Sequence, residues 1–361
     1  MTRPVKARID TRALRQNYRL ACGITPGSRN IAVVKANAYG HGAAIIARAL
    51  DDLVPAFAVA GVDEALELRD AGIRKPVLLL EGPITPDEVG IAQEQDFWLM
   101  VCCREQVEMV CRADIRSPVT VWLKIDSGMH RLGVTENEFH TSLAALSESA
   151  NTLPGMTLCT HLADAHNVSG QETAAQVGFF QRLVSGLDNP LSIANSAGIL
   201  HWPATHGAWN RPGLMLYGAS PFPQPQENAE RLEPVMTLQS AVIGVRKIDA
   251  GESVGYGSRW IAQRPSTIAT VGVGYGDGYP RSAVDGTPVL LNGSRARLAG
   301  SVSMDMITVD VTDLDEVNIG DPVELWGKSL LLGEVAQYAG TISHELVTRV
   351  SVRVPRVRYS G

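Results

Sequence analysis

No stretch of this 361-residue chain approaches the roughly 20 consecutive apolar residues a membrane helix needs. Its opening residues, "MTRPVKARID", are too polar for a secretory signal peptide, so a cytoplasmic location is expected. Cysteine is sparse and odd in number: Cys22, Cys102, Cys103, Cys111 and Cys159, with no C-x-x-C spacing. That argues against a disulfide framework and for reduced thiols, with Cys102 and Cys103 read as small buried hydrophobes. No basic block points to nucleic acid and no acidic tail to a scaffold role; the net charge of −6 is spread along the chain. Internal repeats and low-complexity segments are missing too, and no metal is expected.

What remains is the composition of a globular enzyme, 45% hydrophobic and 19% charged. Between about residues 11 and 230, eight short apolar runs alternate with helical patterns: "IAVVK" (31–35), "FAVA" (57–60), "VLLL" (77–80), "FWLMV" (97–101), "VTVWLKID" (119–126), "MTLCTHL" (156–162), "LSIANS" (191–196) and "LMLYG" (214–218). Unbroken apolar runs suit strands buried on both faces, as in a parallel sheet. The pieces between them carry helix signals. Asp10 is a good N-cap for "TRALRQNYRLA", and "VDEALELRDAG" sets Ala65, Leu68 and Ala71 on one side before Gly72. Eight strand–helix units in this length predict an α/β fold of the (β/α)8 TIM-type barrel class, with a doubly wound sheet as the alternative.

After about residue 232 the texture changes to short alternating runs with glycine turns, such as "STIATVGVGYG" and "MITVDVT", which predict a mostly β C-terminal domain; helical period returns near Gly333 to Tyr338. The boundary is placed in the proline-rich, polar "SPFPQPQENAERLEP". The expected division is a barrel over 11–232 and a β domain over 233–361.

Polar residues close most of the barrel runs, where barrel chemistry sits. Lys35 ends the first, in "NIAVVKANAYGHG". A partly desolvated amine there loses pKa and becomes a nucleophile able to form a Schiff base. A snorkelling surface lysine is the plain alternative, but the glycines around Tyr39 and His41 admit close approach of a ligand. In "KIDSGMHRLG", Arg131 lies in the loop layer, where a guanidinium grips a carboxylate or phenolate bidentately; Lys124 lies on the strand. His161 lies at the end of the sixth run. Asn195 and Ser196, with "RPGLMLYG" (Arg211, Gly213, Leu214), supply small hydroxyls and backbone N–H groups where barrels bind phosphate. The β domain holds Tyr256 in "SVGYGSRW", Tyr275 in "GVGYGDGYPR" and Met304 in "SVSMDM". A tyrosine, with a pKa of about 10, serves as a base at neutral pH only where a cation lowers that value.

Singly these motifs are weak. In order, "VVKANAYGHG", "KIDSGMHRLG", "ANSAG", "RPGLMLYG", "GESVGYGS", "GYGDGYPR" and "SMDM" closely resemble alanine racemase over essentially the whole chain. The resemblance implies pyridoxal 5′-phosphate as cofactor, held in Schiff-base linkage by Lys35, and a two-base interconversion of L-alanine and D-alanine. Lys35 would exchange the α-proton of the D-enantiomer and Tyr256 that of the L-enantiomer. Arg211 would hydrogen-bond the pyridine nitrogen, buttressed by His161. Arg131 and the Met304 backbone would receive the substrate carboxylate. Tyr39, Asn195, Ser196, Gly213, Leu214 and Tyr275 would line the phosphate site and entrance, and Lys124 is a candidate for carbamylation. The family pattern also implies that residues 1–10 join the β domain. It implies a head-to-tail homodimer with Tyr256 and Met304 reaching the partner's site. Three positions depart from the pattern: His130 for a usual asparagine, Ser301 where arginine is common, and Val352 where some members carry a phosphate-binding tyrosine. Racemases of larger amino acids such as lysine or serine, and non-catalytic cofactor-binding barrels, are the competing readings.

Overall fold

The fold, seen in a computed structural model that describes residues 3–359, begins with a short strand. β1 (Lys6–Asp10) is followed at once by a helix, Thr11–Ile24, whose N-terminal N–H groups on Arg12 and Ala13 donate to the Asp10 carboxylate, as the Asp-first pattern predicts. The chain then enters β2 (Arg29–Asn30) and, after Ile31, β3 (Ala32–Val33). Parallel pairing continues through β4 (Phe57–Val59), β5 (Val77–Leu79), β6 (Phe97–Val101), β7 (Val121–Lys124), β8 (Thr157–Cys159) and β9 (Leu191–Ser192). β10 (Trp209–Asn210) pairs in parallel with β2 and thereby closes the ring. Right-handed helices follow β3 to β9, from Ala43–Leu50 round to Ser196–His201. This is the (β/α)8 barrel of the sequence reading, with one correction. The eighth strand is Trp209–Asn210, and "LMLYG" is a 3-10 helix, Leu214–Tyr217, that takes the helix position after it. A two-residue strand preceded by "HGA" leaves too short an apolar run to register, whereas Leu214, Met215 and Leu216 are buried and look like a strand.

The strands are apolar throughout because both faces are covered: β4 and β5 are buried at every position. Near the N-terminal ends of β6, β7 and β10, Trp98, Trp122 and Trp209 meet with ring centroids 5.4–6.2 Å apart and fill that end of the lumen. The opposite end, where Lys124 ends its strand and Lys35 and His161 follow theirs, is left open for chemistry.

The C-terminal half is antiparallel. β11 (Met236–Ile248) is long enough to serve two edges, pairing with β14 (Ser266–Val271) and β18 (Pro322–Trp326). β15 (Pro288–Leu291), β16 (Ser294–Leu298) and β17 (Ile307–Asp310) complete a closed six-stranded ring, β14-β17-β16-β15-β18-β11. A hairpin of β12 (Ser253–Val254) and β13 (Trp260–Ile261) projects from it and carries Tyr256 at its turn. β1 adds to β11 antiparallel, and β19 (Arg356–Tyr359) adds to β1 in parallel. Two helices lie between β18 and β19: Leu332–Tyr338, near the helical signal in the sequence, and Ser343–Thr348, which that signal did not announce. No helix among the described residues is long and apolar enough to cross a membrane.

The two halves touch at a glycine. Gly40 has φ +75°, and a Cβ built on it would lie 1.9 Å from the Val347 carbonyl oxygen. Arg356 Nε donates to the Gly40 carbonyl at 2.9 Å. Gly40→Ala must therefore push the Ser343–Thr348 helix off the barrel mouth as well as strain the backbone. It should lower unfolding stability by roughly 3 kcal/mol or more, read as an earlier denaturant midpoint; unchanged stability would mean that this contact is not made.

Candidate active site

The site is built on a backbone that L-residues avoid. After β3 and Val34, four consecutive non-glycine residues, Ala36, Asn37, Ala38 and Tyr39, take left-handed φ values of 50–53°. Local hydrogen bonds hold this turn: Ala36 N–H donates to Glu64 Oε1 at 2.7 Å and Ala43 N–H to Asn37 Oδ1 at 2.7 Å. Glu64 Oε2 also accepts from Ala60 N–H at the end of β4, tying the turn to the neighbouring strand. The result swings Lys35 and Tyr39 into one cavity of about 1540 Å³ at the barrel mouth. The His41 ring lies behind them, wholly buried. Because the Tyr39 carbonyl can only accept, His41 Nδ1 carries the hydrogen of their 2.7 Å bond. Burial pushes the His41 pKa down to about 4, so the ring is neutral, and it tilts against Tyr217, which in turn stacks on Tyr39.

The cavity gathers most of the residues predicted from sequence: Lys35, Tyr39, Lys124, Arg131, His161, Asn195, Ser196, Arg211, Gly213 and Leu214 all line it. Burial, and then the Arg131 charge, lower the Lys35 pKa; Glu81 and Glu64 oppose this and Lys124 adds to it. The amine is thus biased toward its neutral, nucleophilic form. Lys124 ends β7 and is buried. His161 is kept neutral by burial and by the surrounding cations Arg211, Lys124, Arg131 and Lys35, which push its pKa well down.

Arg211 is buried and held by oxygen acceptors. Its Nη1 donates to the Ser192 carbonyl and hydroxyl, and its Nη2 to the carbonyls of Thr160 and Ile193. No hydrogen bond joins it to the His161 ring among the described residues, so the buttress expected from His161 is supplied by the strand-end carbonyls and Ser192 instead. Nε takes part in none of these bonds and remains a donor on a side chain that faces the cavity.

Opposite, the hydroxyl of Ser196 accepts from the N–H groups of Gly213 (2.9 Å) and Met215 (3.2 Å), which leaves its own hydrogen to donate. Asn195 caps the Ser196–His201 helix by accepting from Gly198 N–H. A Cβ on Gly213 would lie 2.7 Å from the Tyr39 hydroxyl, so only glycine leaves this cradle open. Burial pushes the Tyr39 pKa up to about 12, so its hydroxyl keeps its proton and can donate to an anion. An amine biased to neutrality, a permanently charged donor and a cradle of hydroxyls fit the aldehyde, ring nitrogen and phosphate of pyridoxal phosphate.

Three predicted residues are not in this cavity. Tyr256, Met304 and Tyr275 are 73%, 54% and 41% exposed. They nevertheless lie together: Tyr275 N–H donates to Ser303 O and Gly276 N–H to Met304 O, and Gly255 packs beside Ser301. Buried Asp277 fixes this patch through Arg3 and Arg353, and both arginines also pair with Asp305. Of the departures from the family pattern, His130 sits at φ +54° and hydrogen-bonds Asp126, and left-handed backbone is tolerated by histidine much as by asparagine. The sequence reading missed Glu64, which braces the left-handed turn, and His344, which reaches the cavity from the β domain. An acid near the start of a helix and a histidine in "TISHEL" carry no signal of their own.

Comparison with known proteins agrees with this geometry. The family description "Alanine racemase, N-terminal domain" matches residues 9–221 and "Alanine racemase, C-terminal domain" residues 235–358. The alanine racemase of Pseudomonas taetrolens is 49% identical over 354 residues, covering 98% of both chains. The catabolic alanine racemase of Pseudomonas putida is 48% identical with the same coverage. Among solved structures, the biosynthetic alanine racemase of Pseudomonas aeruginosa superposes with a TM-score of 0.95 at 44% identity, covering 100% of both chains. That of Bartonella henselae, with covalently bound pyridoxal phosphate, superposes at 0.89 with 32% identity, covering 99% of both. On both its domains and over nearly its full length, the chain belongs to the alanine racemase family, whose enzymes are isomerases that use pyridoxal phosphate.

Proposed function

We propose that this chain interconverts L-alanine and D-alanine with Lys35 and Tyr256 as acid–base partners, in a site assembled from two copies of the chain. The observation that carries the reading is the separation of the two residues: Lys35 lines the barrel cavity, while Tyr256 stands exposed on the β-domain hairpin outside it. Racemisation removes a proton from one face of a planar centre and returns one to the other. A single base fixed on one face would favour return to the same enantiomer. The cavity, at about 1540 Å³, also exceeds the roughly 300–1,000 Å³ usual for small-ligand sites, which leaves room for a second chain's hairpin.

When bound, pyridoxal phosphate supplies the electron sink that stabilises negative charge at the substrate α-carbon. The chain's own residues do the rest. The Lys35 amine would anchor the cofactor and would hold or return the proton on one face. The Tyr256 hydroxyl of the second copy does so on the other. Arg131 and the Met304 backbone N–H receive the substrate carboxylate, with Tyr275 at the entrance. Tyr39, Ser196, Gly213 and Leu214 form the phosphate cradle, with Asn195 on its wall. Arg211 would offer its remaining Nε–H to the ring nitrogen of the cofactor, and because a guanidinium donates and never accepts, that nitrogen would stay unprotonated. Relatives of both catabolic and biosynthetic description resemble the chain closely, so either direction of alanine metabolism fits it.

Reduction of the holoenzyme with borohydride followed by peptide mapping should place the phosphopyridoxyl group on Lys35; a label on Lys124 would refute the anchor. Arg211→Glu should slow racemisation at least tenfold and add long-wavelength absorption with alanine present, because the ring nitrogen can then be protonated. The same variant should unfold earlier, since the carbonyls of Thr160, Ser192 and Ile193 lose their donors, so the spectrum is read on the folded fraction. Normal rate and spectrum would refute the role.

The shared site is tested by complementation. Lys35→Ala and Tyr256→Phe should each be nearly inactive alone. In a mixed dimer one site carries both lesions and the other neither. Random reassembly of equal amounts makes half of the dimers mixed, so about a quarter of wild-type activity should return. Mixed dimers with no activity above the parents would sink the shared site.

A further inference from the structure

We propose that Gln176, on the helix Glu172–Leu183 that follows β8, is a positioning residue for the substrate: it fixes the loop that carries Arg131 against the end of β8 and so aims the guanidinium at the substrate carboxylate. The inference rests on the reading of Arg131 as the partner of that carboxylate.

The first argument is need. Arg131 is exposed at the cavity wall, and its guanidinium has no hydrogen-bond or ion-pair partner among the described residues. Nothing on the side chain itself sets its direction, so the loop beneath it must. That loop, residues 126–133, is closed at its base by Asp126 N–H donating to Val134 O at 3.0 Å, and inside it Asp126 Oδ1 accepts from the N–H groups of Gly128 and His130. These bonds shape the loop without fixing where it stands over the cavity. Gly133 N–H ties one side of it to Cys102 O, just past β6, at 3.1 Å. The other side, toward β8, is tied through side chains.

The second argument is that Gln176 makes this tie with the side chain the place requires. It is 4% exposed and does not line the cavity. Its Oε1 accepts from Ala163 N–H at 2.8 Å, and its Nε2 donates to His161 O at 3.1 Å and to Ser127 Oγ at 3.3 Å. A backbone N–H only donates and a carbonyl only accepts, so the amide has one orientation that satisfies both neighbours. The Thr160 hydroxyl gives its hydrogen to Ile125 O at 2.9 Å, so in its 2.7 Å contact with Ser127 it accepts and Ser127 donates. The bonds therefore run in one direction, from Gln176 through Ser127 and Thr160 to the end of β7. Gly128 completes the fit: a Cβ added there would lie 3.4 Å from Gln176 Cγ, so the loop rests on the stem of the amide.

The third argument is selectivity. None of these bonds touches Lys35, Ser196 or Gly213. Arg211 shares the carbonyl of Thr160, but it is also held by Ser192 and Ile193. Loss of Gln176 should therefore move Arg131 and leave the cofactor's other holders in place.

The test measures two ligands. Propanoate carries the carboxylate of alanine but no amine, so its titration into holoenzyme reports the carboxylate site alone. The rate at which holoenzyme releases pyridoxal phosphate reports the rest. A hydrogen bond to a charged group corresponds to about tenfold or more in binding, so Gln176→Met, which keeps the side chain's length and removes its polar atoms, should weaken propanoate about tenfold. Cofactor release should be unchanged, and KM for alanine should rise with kcat little altered, as for a uniform loss of binding. Ser127→Ala, which cuts the same tie at its next link, should shift propanoate in the same direction, and it decides the matter alone if Gln176→Met does not fold. Unchanged propanoate binding, or propanoate and cofactor weakened together, overturns the inference. Arg131→Met separates the two levels: if it binds propanoate normally, the carboxylate reading falls and takes this inference with it, whereas loss there with none at Gln176 refutes Gln176 alone.

Discussion

The arrangement depends on a turn that physical chemistry disfavours. Four successive L-residues after Lys35 sit in left-handed backbone, each at a cost of roughly 1–2 kcal/mol. Their sum is comparable to the 5–15 kcal/mol by which a whole domain is stable. Such a turn persists only where its surroundings over-determine it. Glu64 clamps Ala36 to the end of β4, and Asn37 caps the next helix through Ala43. Gly40, the one residue whose missing Cβ allows it, lets the β domain press directly on the turn. The strain is concentrated where it aims Lys35 and Tyr39 into one cavity, and the β domain meets the barrel mouth at the same turn.

Charge is the second constraint. Lys35, Lys124, Arg131 and Arg211 line one cavity, and among the lining residues Glu81 is the nearby acid that acts on Lys35. Like charges at short range in a poorly solvated site are unfavourable unless an anion joins them. The site answers the problem in three ways. It lowers the pKa of Lys35, keeps His161 and His344 neutral, and feeds Arg211 with carbonyl oxygens. Its cations suit a phosphate and a carboxylate, the two anionic groups that pyridoxal phosphate and an amino acid bring.

The exposed patch of Tyr256, Tyr275 and Met304 carries the opposite imbalance. These are groups suited to a reaction but set in water, on a surface made firm by the buried Asp277 and its two arginines. In the proposed shared site, a second copy of the chain would bring this patch to the cavity and, by symmetry, receive the first copy's patch in its own.

Much of this was legible in the sequence, for reasons that are local. Apolar runs such as Phe57–Val59 and Val77–Leu79 read as buried parallel strands because burial on both faces removes alternation. Asp10 announced its helix because an N-cap needs only its two following N–H groups. The ordered motifs marked Lys35, Arg131, Ser196 and Arg211 as one site because the C-terminal ends of barrel strands converge whatever lies between them. Where the outcome depended on contacts between distant segments, the sequence was silent. The eighth strand is two residues long and exists because β2 is there to pair with it, so the more apolar "LMLY" outshone it. Arg211 finds its braces in carbonyls of Thr160, Ser192 and Ile193, which every residue type possesses and no motif can flag. The left-handed turn, the Gly40 contact and the arrival of His344 at the cavity were decided by tertiary structure alone, since each is a meeting of atoms hundreds of residues apart or a backbone state that only its neighbours can hold in place.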